Sequence, residues 1–252
     1  MKRRIMNIMP ISRVMAFLAH PDDTDTYCAN FLKTLAGAGG KKISLHCVTR
    51  GEHGLAANRD PRKEEFRGTR LGRIRSEELK KAAEYLGIPR ENVYFLNIED
   101  SRVREAPRTA YRKIRRSIEE NRPDLVLAPE FYHAYYLHPD HVHVGMIVFI
   151  ALRKLGYPGK IFLYHSINNN YYHPVTTTDV VKTAVGFHVS QEDLFRFLLP
   201  LHVNVEQVIH GMHLRGVKRA EAYRVTSTDE PQTLGLKSRS VARIYSAFSG
   251  KS

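Results

Sequence analysis

The sequence predicts an α/β protein built on a doubly wound, mostly parallel, Rossmann-like sheet with a less regular C-terminal third. Three observations carry that prediction. Short apolar runs of strand length (Arg13 to Leu18, Ile43 to Thr49, Val93 to Leu96, Leu125 to Ala128, Ile161 to Tyr164) alternate with longer stretches whose apolar residues recur at helical spacing. Clusters of histidine and aspartate follow the first and fourth of these runs, where parallel sheets open their ligand crevice. The 252 residues suffice for one large domain with a full core, and no internal repeat or low-complexity block divides them.

In chain order, the first strand empties into Ala19-His20-Pro21-Asp22-Asp23, and Tyr27 to Ala36 reads as a helix stopped by Gly37-Ala38-Gly39-Gly40. The second strand leads into Arg50-Gly51-Glu52-His53-Gly54 and a charged loop reaching about Arg67, a candidate substrate lid. Leu71, Ile74, Leu79, Ala82, Ala83 and Leu86 mark a helix ended by Gly87 and Pro89, and Tyr111, Ile114 and Ile118 mark another over Ala110 to Asn121. After the fourth strand come an aromatic loop, Pro129 to Leu137, and a helix with Pro139 in its first turn. That helix runs to about Leu155 and is apolar enough from Val144 to Ala151 to be deeply buried. Beyond the fifth strand, Asn168 to Pro174 reads as a loop, Thr178-Asp179 as a helix start, Ser190 to Leu214 as helical with a break near Pro200, and Glu221 to Val225 as a closing strand. The expected division is a single domain over 1–225 and a basic tail over 226–252.

Composition narrows the function classes. The formal net charge of +13 can steer anions toward the protein. Its arginines concentrate in Arg59 to Arg75 and Arg102 to Arg122, which read as solvated helix faces and loops; no nucleic-acid-binding signature accompanies them. Nucleic acid is therefore disfavoured as a partner. Cys28 and Cys47 lie in or beside apolar segments, as structural thiols in a reducing compartment do. No apolar core of signal-peptide length precedes the first strand, and no apolar run reaches membrane-spanning length. The expectation is a cytoplasmic protein without a membrane partner, and a homo-oligomer remains open.

The chemistry-bearing residues form two stretches. A His-x-x-Asp turn, His20 to Asp23, can present an imidazole nitrogen and a carboxylate oxygen to one ion. His141, in the second stretch Tyr135-Tyr136-Leu137-His138-Pro139-Asp140-His141, would supply a third ligand and leave one position open, as catalytic zinc requires. Asp22 is then a spare carboxylate beside the open position, which is what a hydrolytic general base needs.

With Ala-His-Pro-Asp-Asp and His-Pro-Asp-His in this order after strands, the chain resembles the PIG-L/LmbE-like family of zinc-dependent N-deacetylases, from about Val14 to Val225. Thr49 to Gly54, the Arg75-Ser76-Glu77-Glu78-Leu79 helix, Lys182 with His188-Val189-Ser190-Gln191, and Ala220 to Tyr223 match weaker family segments. The resemblance implies zinc ligands His20, Asp23 and His141, with Asp22 as general base. It also implies that His138 steadies the tetrahedral intermediate or protonates the departing amine, with Asp140 orienting it, that Arg75 binds substrate, and that Tyr136 helps hold the oxyanion. Thr24, and the aromatics of Glu130 to Tyr136, depart from the family pattern and leave the substrate open.

The bland readings stand beside these. Arg75 and Glu78 fit an intrahelical ion pair, His188 fits either a contact behind the site or a core histidine, and His133 and His143 fit solvated or packing roles. The function expected is a zinc-dependent removal of an N-acetyl group from an amino-sugar-containing substrate. Alternatives are an amide hydrolase of the same family acting on a thiol conjugate or secondary metabolite, and a basic polyanion-binding protein with a degenerate site.

Overall fold

Arg13–Leu18 form β1, a strand buried along all but its first residue. The computed structural model that contains it describes residues 11–54, 67–135 and 138–230; most of the charged loop after Gly54, Tyr136, and the tail beyond Glu230 lie outside the described residues. Following β1 are α1 (Asp23–Tyr27), α2 (Ala29–Gly37), β2 (Lys42–Cys47), α3 (Thr69–Leu86), β3 (Val93–Phe95), α4 (Pro107–Asn121), β4 (Leu125–Pro129), α5 (Pro139–Lys154) and β5 (Lys160–Tyr164). The chain then adds β6 (Tyr171–Pro174), α6 (Asp179–Gly186), α7 (Glu192–Leu201), a π-helical turn His202–Glu206, α8 (Gln207–Gly211) and β7 (Ala220–Thr226).

Among the described residues these strands make one sheet in the order β3-β2-β1-β4-β5-β7-β6. The first five are parallel, as expected; β7 runs antiparallel to β5 and β6 antiparallel to β7. From β1 the order climbs to β2 and β3 on one side and to β4 and β5 on the other. Such a reversal opens a crevice beyond the carboxyl ends of β1 and β4, the place where open α/β sheets bind ligands.

Alternation along β1 explains its apolar run. Val14, Ala16 and Leu18 enter a core layer with Phe31, Leu32 and Leu35 of α2, Leu79 and Leu86 of α3, and Val181 of α6. Met15 and Phe17 enter the opposite layer with Ile114 of α4 and the buried face of α5. A strand covered on both faces has no polar side, so it reads as continuous hydrophobicity. Gly145 is required where α5 crosses the end of β4, because a Cβ there would stand 2.1 Å from the Pro129 carbonyl oxygen.

Two features differ from the sequence expectation. The helix expected from Tyr27 is two helices, α1 starting earlier at Asp23 and ending before Cys28, whose φ of −130° is not helical. Asn168 to Pro174 is not all loop, because Tyr171–Pro174 pair with β7. Its Tyr-Tyr-His-Pro sequence does not alternate, and the closing proline marks an edge strand, which tolerates it.

Two buried acids tie the antiparallel edge to the parallel core. Glu221 of β7 accepts the N–H groups of Asn30 and Phe31 at 2.8 and 2.9 Å, so a carboxylate from the sheet satisfies the first turn of α2. Glu130, fully buried after β4, takes both Arg224 Nε (2.5 Å) and Nη2 (2.9 Å) and also accepts the N–H groups of Phe131 and Tyr132. Burial alone would raise the Glu130 carboxyl, but Arg224 holds it below the ordinary glutamate value. Removing one partner strands the other charge in a dry site. Glu130→Ala should therefore lower the unfolding free energy by about 3–5 kcal/mol in urea titration. A loss below about 1 kcal/mol, the value of an exposed pair, would contradict that account.

Candidate active site and metal centre

The turn after β1 is held by its own last residue. Asp23 Oδ2 accepts the backbone N–H groups of Ala19 (2.8 Å) and His20 (3.1 Å), which folds His20-Pro21-Asp22-Asp23 tightly into the start of α1. The other oxygen, Oδ1, is left to face outward. Across the crevice, His138 is the N-cap of α5, its Nδ1 accepting the Asp140 N–H at 3.3 Å, and Pro139 takes the first helical position, where its missing N–H costs nothing. His141 then lies on the first turn of the helix.

The two loops meet because β1 and β4 are neighbours. His20 Nδ1 lies 3.0 Å from His141 Nε2, His141 Nε2 lies 3.2 Å from Asp23 Oδ1, and His20 Nδ1 lies 3.9 Å from the same oxygen. Ligands about 2.0–2.1 Å from a tetrahedral metal stand about 3.3 Å from one another, so this triangle has the size of one face of such a site. Two other groupings bring their donor atoms within 4.8 Å of one another: His20, His138 and His141, and His20, Asp100 and Asp140. The carboxylates of the second are already engaged by backbone, Asp140 by Ser101 N (2.7 Å) and Val103 N (3.2 Å), Asp100 by His53 N (2.9 Å). Among the described residues Asp23 Oδ1 meets both imidazoles and no backbone donor, whereas Asp100 Oδ1 meets His20 alone and both Asp140 oxygens are engaged, which makes His20, His141 and Asp23 the better donor set.

Electrostatics favour a cation at the same point. Burial alone would lower His20, but hydrogen bonding to Asp100 (Nε2 to Oδ1, 3.1 Å) and Asp140, with the Asp23 charge, raises it to about 10. Burial alone would raise Asp23, but His141 and His20 hold it well below the usual carboxylate range. Buried carboxylates this close need positive charge, supplied by a proton or by a metal.

The remaining residues sort as follows. Asp22, 12% exposed at its side chain, receives Arg75 Nη2 at 3.0 Å, and Arg75 Nη1 donates to the Gly51 carbonyl at 2.8 Å. Gly51 (φ +64°) must be glycine, since a Cβ would lie 2.2 Å from Nη1. Arg75 therefore does not pair with Glu78, as helical spacing allowed; Glu78 instead accepts from Ser190. Burial lowers His138, and the neighbouring His20 and His141 lower it further, which favours its neutral form. The Asp140 carboxylate holds the 101–103 backbone and faces His20 at 3.6 Å, so its contact with His138 is made by the backbone N–H rather than by the acid. His143 Nδ1 donates to the Pro139 carbonyl at 2.6 Å, inside the helix. Tyr136 lies outside the described residues.

Asp100 and His165 were not found from the sequence. Asp100 sits in a turn after β3 that also has Ser101 at φ 65°, and His165, at φ 66°, stacks on His141 with its Nδ1 3.3 Å from His141 Nδ1. Their signal is an isolated acid or histidine just past a strand end, too common to single out. His20, Asp22, Asp23, Asp100, His138 and His141 line a cavity of about 940 Å³ that Leu194, Leu198, Leu201, Val205 and Ile209, a helical stripe of α7 to α8, also line. No helix among the described residues is long and apolar enough to cross a membrane.

Fold and site define a doubly wound α/β protein with a His/Asp donor cluster at its topological switch point. The chain belongs to the PIG-L family, GlcNAc-PI de-N-acetylase, whose model matches residues 15–152. It is similar to the diacetylchitobiose deacetylase of Thermococcus kodakarensis, 28% identical over 213 residues that cover 75% of this chain and 74% of that one. It is also 33% identical over 145 residues to a probable N-acetyl-alpha-D-glucosaminyl L-malate deacetylase 2 of Bacillus anthracis, covering 56% of this chain and 60% of the relative. Among solved structures, the N,N'-diacetylchitobiose deacetylase of Pyrococcus horikoshii, in complex with its inhibitor MPG, superposes with a TM-score of 0.73 at 25% identity, over 90% of this chain and 89% of that one.

Because Asp100 fixes the far nitrogen of His20, its loss should act on metal affinity. Asp100→Asn should weaken divalent-metal binding by about 10–100-fold in chelator competition while leaving the melting temperature of the metal-free protein within a few degrees. Unchanged affinity would remove Asp100 from the support of the site.

Proposed function

We propose that this chain is a zinc-dependent hydrolase that removes the N-acetyl group from an amino-sugar-containing substrate. The observation that carries the reading is the convergence of His20 Nδ1, His141 Nε2 and Asp23 Oδ1 beside a second acid, Asp22, that is not part of the triangle. Family membership and the sugar deacetylases among its relatives support it.

His20, Asp23 and His141 would hold the metal, which when bound supplies Lewis acidity toward the acetyl carbonyl and toward the attacking water. Asp22 takes the proton of that water as its oxygen adds to the acetyl carbon. Arg75 fixes the Asp22 carboxylate through Oδ1 and leaves Oδ2 for the proton. With Nδ1 accepting the Asp140 N–H, the neutral His138 ring carries its proton on Nε2, so it presents an N–H donor to the cleft. That donor steadies charge on the acetyl oxygen, and the proton the departing nitrogen needs as the C–N bond breaks is the one Asp22 has taken from the water. Acetate and a free amino sugar result. The role that the resemblance gives Tyr136, a hydroxyl toward the oxyanion, would add to this.

The same residues serve an amide hydrolase acting on a thiol conjugate or secondary metabolite. The polyanion-binding alternative loses support from the surface, where Arg102, Arg115 and Arg116 are paired with Glu99, Glu119 and Glu120.

The test is amine release from a panel of N-acetylated sugars, with chelated and zinc-restored protein. Two adjacent aspartates separate ligand from base. Asp23→Ala should lose zinc affinity and recover part of its activity at high zinc. Asp22→Asn should hold zinc normally and lose on the order of 10²–10⁴ in turnover, with no rescue by metal. Equal loss of zinc in both, or an active Asp22→Asn, would overturn this division of roles.

A further inference from the structure

Between α6 and α7 lies a three-residue 3₁₀ turn, Val189–Gln191, fastened from two directions. On one side His188 Nε2 meets Asp25 Oδ2 at 2.8 Å, with both side chains fully buried. On the other, Glu78 of α3 accepts the Ser190 N–H at 2.8 Å and its hydroxyl at 2.7 Å. The resemblance singled out His188 to Gln191, yet the proposed chemistry uses none of these residues. What the two contacts fix is the residue that follows them. Gln191 is 1% exposed, and its carboxamide lies against Gly54, where an added Cβ would stand 2.8 Å from Gln191 Nε2, 3.1 Å from Gln191 Oε1 and 2.9 Å from Arg75 Nη1.

Gln191 also lines the cavity that contains His20, Asp22 and His141. Its Nε2 is turned back to the Ser190 carbonyl at 3.1 Å, while its Oε1 accepts no hydrogen bond among the described residues. Because Gln191 lines the cavity, that oxygen is available as an acceptor to a ligand bound there. The atom is an acceptor, the guanidinium beside it orients the catalytic acid, and the donors that a pyranose carries around its acetamido group are hydroxyls.

We propose that Gln191 is a specificity-determining residue that accepts a hydrogen bond from a ring hydroxyl of the N-acetylated sugar, and that the Asp25–His188 and Glu78–Ser190 contacts exist to hold it there. The proposal rests on the deacetylase reading and names the part of the substrate this side of the cleft recognises. A cyclic acetamide without hydroxyls gains nothing from Gln191.

The test compares wild type with Gln191→Leu and Gln191→Met, which keep the volume and remove the acceptor. Each is assayed on N-acetylglucosamine, on diacetylchitobiose and on N-cyclohexylacetamide, with thermal unfolding to confirm the fold. Loss of one hydrogen bond should raise KM for the sugars about tenfold, leave kcat within about threefold, and leave kcat/KM for N-cyclohexylacetamide unchanged. Equal losses on all three substrates, or a fall in kcat alone, would overturn the proposal while leaving the deacetylase reading intact. Ligand-observed NMR with N-acetylglucosamine tests the contact without turnover: saturable binding weakened about tenfold in both variants supports it. Equal binding by wild type and variants, or none by wild type, overturns it. Absence of acetate release by wild type from any sugar would count separately, against the deacetylase reading.

Discussion

The pairing of β1 with β4 is the constraint on which the site depends. Val14, Met15 and Ala16 stand beside Leu125, Val126 and Leu127, so two loops separated by more than a hundred residues leave the sheet side by side. The sheet turns its order at that seam. Everything chemical is then local: one loop must bend sharply enough to bring a histidine and an aspartate to the same point, and the other must begin a helix with histidines facing it. The first is achieved by Asp23 bonding back to Ala19 and His20, the second by His138 and Pro139 opening α5.

A second economy lies in how identical side chains are separated. Asp22 and Asp23 are neighbours in the chain, yet one oxygen of Asp23 is bound to the turn and the other faces His141, whereas Asp22 points to Arg75. Backbone geometry therefore decides which acid joins the donor triangle and which stays beside it. The cost is a concentration of buried negative charge, with Asp100 and Asp140 added behind His20. That charge is the physical reason for a cation here, and it sets the site apart from an ordinary polar loop that water could solvate.

The sequence disclosed what rests on burial and on short-range turns. Four of the five parallel strands were legible because each is covered on both faces, the helices α3 and α4 because their apolar residues repeat along one side, and α5 because it is apolar and buried almost continuously from Val144 to Leu152. The His20 to Asp23 and His138 to His141 stretches stood out because they follow such strands abruptly. Contacts made by the fold rather than by neighbours in the chain did not. Glu78 is spaced to pair with Arg75, but the sheet brings Asp22 to Arg75 and the chain after α6 to Glu78. Asp100 reads as one acid in a turn until tertiary structure sets it against His20. The edge strand β6 lacks alternation, and the break expected near Pro200 takes the form of a change in winding, α7 ending at Leu201 and the π-turn His202–Glu206 following without a loop.

The central claim is a mononuclear site made by His20, Asp23 and His141. Zinc K-edge absorption spectroscopy on protein loaded with one equivalent of zinc tests it most directly. The account predicts a first shell of nitrogen and oxygen only, four or five atoms at about 2.0–2.1 Å, with the outer-shell scattering of two imidazoles. A shell containing sulfur, a shell without imidazole scattering, or a spectrum unchanged when His141 is replaced by alanine would contradict it.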